Sequence, residues 1–252
     1  MKVRHLLQLE TALALAVGTL VLQLSWPGII RWSERPQPGK QVERSVGRPN
    51  RCMERCLVYL PPDYREDKKW PLVIYLHGAG ARGEDALRVR GEGLPRMLDE
   101  GADFSFIVIA PVCRPDRHWQ SDAVVGLLDE VCGEFPIDER RIYLAGFSMG
   151  AFGVWETAKA IPNRVAALLP IAGGGEPEGL GAFRGLPIWA FHGDVDEVVP
   201  ISSTRKMVEA AAAAGADAEL TVLKGRGHGV CNFVFSQAGA IKWLTMQRKP
   251  ER

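Results

Sequence analysis

The chain has 252 residues, a formal net charge of +1 and 46% hydrophobic residues. That length suits one large domain or two small ones, and the apolar share supports a sizeable core. The balanced charge, with no long run of one sign, argues against a nucleic-acid partner.

The chain starts with the basic stretch Met1-Lys2-Val3-Arg4-His5, and residues 11–30 carry no charge at all. A helix of that length, at about 1.5 Å per residue, spans the roughly 30 Å hydrocarbon core of a bilayer. The run is apolar on every face, unlike an amphipathic helix packed on a domain. Its Ala-x-Ala triplets fall inside the run, and no small-x-small cleavage site comes directly after it. Residues 1–31 therefore read as an uncleaved anchor, with a cleaved signal peptide as the alternative. The basic flank would stay in the cytoplasm. The remainder would be membrane-anchored and face outside, or be secreted or periplasmic. Residues 32–51 are polar, rich in Pro and Arg, and read as a linker. The globular domain is expected over residues 52–248.

Within that domain, residues 56–60 read as a strand closed by the turn Pro61-Pro62-Asp63-Tyr64. Residues 71–76 are continuously apolar, as in a strand buried on both faces. They lead into His77-Gly78-Ala79-Gly80-Ala81-Arg82-Gly83. Residues 104–110 read as a second buried strand ending in Pro111-Val112-Cys113, 124–132 as a helix, and 141–145 as a strand. Gly146-Phe147-Ser148-Met149-Gly150 follows, and then a helical run over 151–160. Strands over 165–171, 187–191 and 219–223, a helix over 202–214 and a closing helix over 230–246 complete the pattern. This alternation predicts an α/β domain: a mostly parallel sheet with helices on both faces, and a site among the loops at the carboxyl ends of the strands. No insertion long enough for a large lid occurs between residues 146 and 192.

Cys52, Cys56, Cys113, Cys132 and Cys231 form no C-x-x-C pair, and no His spacing accompanies them, so no metal site is expected. Their odd number leaves at least one thiol unpaired. Export to an oxidising compartment would permit, without requiring, a Cys52–Cys56 disulfide.

Strand, tight turn with Gly at both ends, and helix is the context in which G-x-S-x-G presents a nucleophile. The same five residues would also serve as a Gly-rich connector with a capping serine, so the rest of the chain must decide. A nucleophilic serine needs a base, and the base needs an orienting acid. Two histidines follow Ser148. His192 lies in His192-Gly193-Asp194-Val195-Asp196-Glu197-Val198-Val199-Pro200, and His228 is flanked by Gly227 and Gly229. The order Ser, Asp, His is met by Asp194 or Asp196 together with His228. The flanking glycines suit a loop tip.

The segments at 77–83, 146–150, 192–200 and 227–228 together resemble the α/β-hydrolase superfamily. More closely, they resemble small phospholipase/carboxylesterases, dienelactone hydrolases and feruloyl or polyhydroxybutyrate-type esterases, with relatives also labelled predicted peptidases. The likeness spans residue 56 to about 247. It implies the α/β-hydrolase fold without a large lid, with Ser148 as nucleophile and His228 as base. In the pattern His-Gly-x-x-Asp-x-x-Val-Pro it places the acid at Asp196, leaves Asp194 as the alternative and makes His192 structural. The oxyanion hole would use the backbone N–H of Met149 and of Ala79, with Gly80 as the alternative second donor. Trp119 and Gly80 would line the substrate pocket, although Trp119 would equally suit a half-buried surface position. Relatives commonly read Gly-Glu-Arg-Gly where this chain has Gly80-Ala81-Arg82-Gly83, so the acidic partner usual in that loop is missing. The implied function is hydrolysis of a small-molecule carboxylic ester through an acyl-enzyme, without a cofactor. The alternatives are a serine peptidase on the same triad and a non-catalytic membrane-tethered binding module. Membrane contact is expected only through the N-terminal segment.

Overall fold

Alternate residues of the apolar runs face opposite sides of one sheet, and helices cover both sides. The computed structural model describes residues 36–47, 50, 52–237 and 239–251, which fall within one unit, Glu34–Arg252. The expected anchor at 1–31 lies outside the described residues. Among the described residues no helix is long and apolar enough to cross a membrane.

The strands are β1 (Gln41–Ser45), β2 (Met53–Tyr59), β3 (Trp70–Leu76), β4 (Ile107–Cys113), β5 (Ile137–Phe147), β6 (Ala167–Ile171), β7 (Pro187–Gly193) and β8 (Asp217–Leu223). They pair in the order β1-β2-β4-β3-β5-β6-β7-β8. β2 runs antiparallel to both β1 and β4, and the pairs from β4 through β8 are parallel. The helices are α1 (Gly93–Asp99), α2 (Ser121–Glu134), α3 (Met149–Ala160), α4 (Ile201–Ala213), α5 (Cys231–Gln237) and α6 (Ala240–Met246).

β3 sorts its side chains by parity. Trp70, Leu72, Ile74 and Leu76 enter the core shared with α2, α3 and α4. Val73 and Tyr75 enter the core shared with α1, α5 and α6. Each fully buried aliphatic side chain of this kind contributes about 1.5–3 kcal/mol. A strand with two dry faces must read as an unbroken apolar run, which is why residues 71–76 do.

Three expectations are corrected. The stretch read as linker supplies β1, an edge strand whose polar sequence, Gln41 to Ser45, hides it from apolar patterning. Its Arg44 turns inward to Glu134 of α2 at 2.6 Å. The strand read over 104–110 starts later, at Ile107, and β4 carries its regular pairing on to Cys113. β3 pairs with it only as far as Ile109, so the missing Pro111 N–H breaks no bond on that side. The closing helix is two helices, interrupted at Gly239, where φ is 68°.

No Cys52–Cys56 disulfide is formed, and all five cysteines are free. Cys52 Sγ instead lies 3.9 Å from Cys113 Sγ. The chain at Cys52 is held beside the end of β4 by the Arg114 N–H bond to the Cys52 carbonyl, 2.9 Å long.

Candidate active site

Ser148 sits between β5 and α3 with φ 53° and ψ −119°. A non-glycine residue at positive φ is strained, and tight packing on both sides holds it there. A Cβ on Gly146 would come within 2.5 Å of the Gly150 carbonyl oxygen, and one on Gly150 within 1.8 Å of the Leu76 oxygen. Both ends of the turn must therefore be glycine for α3 to start this close to β3. The Ser148 N–H is fixed by the Ile171 carbonyl at 2.8 Å.

The turn aims Ser148 Oγ at the loop after β8, where His228 Nε2 lies 2.8 Å away. His228 Nδ1 is 2.7 Å from Asp196 Oδ2. With the Nδ1 proton donated to that carboxylate, Nε2 is left to accept the serine proton. Asp196 Oδ1 accepts the N–H groups of Val198 and Val199, each at 2.9 Å. Burial pushes the Asp196 carboxyl up. The His228 bond and these two amide bonds outweigh it, so its pKa lies below the ordinary carboxylate value.

Asp194 plays a different part, accepting the Gly225 N–H at 2.6 Å and closing the base of the His228 loop. His192 is fully buried. It bridges Thr204 Oγ1 at 2.6 Å and the Val199 carbonyl at 2.9 Å, with Nε2 also 3.1 Å from Asp196 Oδ2. Thr204, which sequence reasoning missed, donates its hydroxyl to the Gly173 carbonyl at 2.8 Å.

On the opposite side, Ala79 opens a short 3₁₀ turn and Met149 opens α3. An N–H in the first position of a helix has no acceptor within that helix. Both residues line a cavity of about 410 Å³ together with Ser148, His118, Trp119 and Phe152, completed by Gly153 and Glu156. Gly80 is not among the lining residues. A Cβ at position 80 would meet nothing within 4 Å, and Ala79 is the residue of this loop that lines the cavity.

Trp119 is buried rather than half-exposed. Its indole N–H donates to the His77 carbonyl at 3.0 Å. His77 Nε2 accepts the Cys113 N–H at 3.0 Å, which leaves the proton on Nδ1, 2.7 Å from the Gly78 oxygen. Burial lowers the His77 pKa to about 4, so the ring is neutral in this role.

The loop also has a carboxylate that its own sequence lacks. Glu92, from the turn before α1, accepts the Gly78 N–H at 2.9 Å and the Tyr75 hydroxyl at 2.7 Å. Burial pushes the Glu92 carboxyl up, and these two bonds pull the other way. Among the described residues no group of three or more His, Cys, Asp or Glu is placed to hold a metal ion.

Residues 121–241 match the family model described as Phospholipase/Carboxylesterase. A bifunctional acetylxylan esterase/xylanase of Neocallimastix patriciarum is 34% identical over 84 residues, covering 33% of this chain and 12% of that protein. The chain spans 41% of a second curated relative, from Nocardia uniformis subsp. tsuyamanensis, at 25% identity. A thermostable esterase structure superposes with a TM-score of 0.67 at 29% identity, covering 77% of this chain and 59% of that one. The feruloyl esterase module of Clostridium thermocellum, in its S954A form with sinapinate, superposes with a TM-score of 0.62 at 14% identity, covering 91% of this chain and 96% of that one. The fold is that of the α/β-hydrolases, as the four sequence segments implied.

Proposed function

We propose that this α/β-hydrolase cleaves carboxylic esters of small molecules, with Ser148 as nucleophile, His228 as general base and Asp196 as the residue that orients the base. The observation that carries the reading is the continuous chain from Ser148 Oγ through His228 to Asp196, with contacts of 2.8 and 2.7 Å. His228 takes the Ser148 proton as Oγ attacks the ester carbonyl. Asp196 stabilises the imidazolium that results. The Met149 and Ala79 N–H groups receive the developing oxyanion, and one such donor is worth on the order of 3 kcal/mol. His228 then returns its proton to the leaving alcohol. Water, activated by the same histidine, releases the acid from the acyl-enzyme. None of these steps calls on a cofactor.

Purified protein should hydrolyse short-chain p-nitrophenyl esters, and a serine-directed phosphonate should label Ser148. A folded protein that does neither would overturn the reading. Cleavage of peptide substrates with inert esters would transfer the same triad to peptidase chemistry. The N-terminal segment is read as an anchor holding this domain outside the cytoplasm. N-terminal sequencing of the mature protein distinguishes a retained anchor from a cleaved signal.

A further inference from the structure

A carboxylate from outside the oxyanion loop is built into it. Glu92 Oε1 takes both the Gly78 N–H and the Tyr75 O–H. Although Glu92 stands at the N-cap position of α1, its side chain makes no capping bond to that helix. Its acceptor capacity is directed at the loop instead.

Two glycines bring it there. Gly93 has φ 59°, and a Cβ on it would lie 2.4 Å from Tyr75 Cζ, so α1 closes on Tyr75 only because that side chain is absent. A Cβ on Gly78 would lie 3.0 Å from Phe147 Cδ1 and 3.3 Å from Glu92 Oε2. The start of α1 is pinned in turn to α5 by the Gly93 N–H bond to Asn232 Oδ1 at 2.8 Å. Tyr75 Oη also lies 3.2 Å from Cys231 Sγ. One carboxylate thus ties β3 to the oxyanion loop, and Gly93 and Tyr75 on either side of it reach the helix that follows His228.

Gly78 has ψ 169°, and rotation about that bond sets where the next N–H, that of Ala79, points. We propose that Glu92 is the positioning residue of the oxyanion loop, holding the Gly78 N–H so that the Ala79 N–H converges with that of Met149 on one oxygen. The proposal rests on the ester-hydrolase reading above. The role needs an acceptor oxygen and not a charge, so the amide of a glutamine can supply it.

The test compares the full-length wild type with E92A and E92Q, following p-nitrophenyl acetate hydrolysis and amide hydrogen exchange across residues 76–83. Near-UV circular dichroism controls for folding. Misplacing one donor should lower kcat of E92A by about 10- to 100-fold with KM nearly unchanged, and E92Q should recover most of that loss. Exchange at Gly78 should accelerate in E92A and stay slow in E92Q. Wild-type kcat in E92A, an E92Q as slow as E92A, or unchanged Gly78 exchange in E92A would each overturn the proposal. Should E92A fail to fold, E92D, whose carboxylate is one methylene short, replaces it in the same comparison. An inactive wild type would count against the hydrolase reading, and the exchange data would still decide whether Glu92 holds the loop.

Discussion

Trp119 donates its indole N–H to the His77 carbonyl at 3.0 Å, which ties the wall of the cavity to the loop that carries Ala79. The contact depends on Gly153 of α3, where a Cβ would come within 2.6 Å of Trp119 Cβ. At an open helical site, Gly to Ala stabilises by about 1 kcal/mol. Here the overlap must displace Trp119, and overpacking of this kind costs about 1–3 kcal/mol. Gly153→Ala should therefore lower the melting temperature and raise KM more for bulky acyl esters than for acetyl esters. Thermal melts and an acyl-length series check this. A higher melting temperature with unchanged KM values would refute the packing argument.

Asp194 and Asp196 are separable by substitution. Asp196 meets His228 Nδ1 at 2.7 Å, whereas Asp194 only receives the Gly225 N–H. On the proposed mechanism, Asp196→Asn removes the charge that would orient and stabilise the imidazolium, and should lower kcat by about 10³- to 10⁴-fold. Asp194→Asn keeps an oxygen acceptor and should cost no more than about 1 kcal/mol of stability, with kcat little changed. Steady-state kinetics and denaturant melts of the two variants separate the roles. Equal losses of kcat would refute this separation, and a larger loss from Asp194→Asn would reassign the acid.

The contrast between these two aspartates shows what was legible in the sequence. Spacing alone left both acids open, because each follows the same strand, and a family pattern was needed to prefer one. The elbow was readable from its glycines, since steric demand at 146 and 150 acts on residue type directly. Buried strands such as β3 were readable because two dry faces require an apolar run. Glu92 was invisible because its partner, Gly78, is brought to it by folding, and the linking bond is to a backbone N–H that any sequence supplies. β1 was hidden for a related reason. An edge strand is held by backbone bonds to β2 and can keep a polar sequence.

The buried neutral His77 predicts an acid-sensitive fold. Its pKa falls from an ordinary 6.5 to about 4 on folding. The unfolded chain therefore binds the extra proton first, and stability falls as pH drops from about 6.5 to 4, with no further loss from this group below that. At about 1.4 kcal/mol per pH unit, the full loss is about 3 kcal/mol. The depressed Asp196 carboxyl adds loss in the same direction as the medium becomes more acid. Urea melts at pH 7 and 4.5 should show the drop, and a His77→Gln variant should show a shallower one. A parallel pH dependence in the variant would place the sensitivity elsewhere.

The cysteines give a chemical check on the packing of β2 against β4. Cys56 is buried in the core, and burial pushes its thiol up to about 12. Cys231 is buried against Tyr75 and is likewise shifted up by burial. Cys132 is partly exposed, so it should react first with iodoacetamide in the native protein, with the buried thiols following more slowly through local opening. The Cys52 and Cys113 sulfurs are 3.9 Å apart, against about 2.05 Å in a disulfide. Diamide should therefore oxidise these two thiols to a Cys52–Cys113 disulfide, itself being reduced to the hydrazine. Non-reducing peptide mapping should recover residues 52 and 113 in one linked pair. A link between Cys52 and Cys56 instead would mean that the start of β2 does not sit against the end of β4 as described.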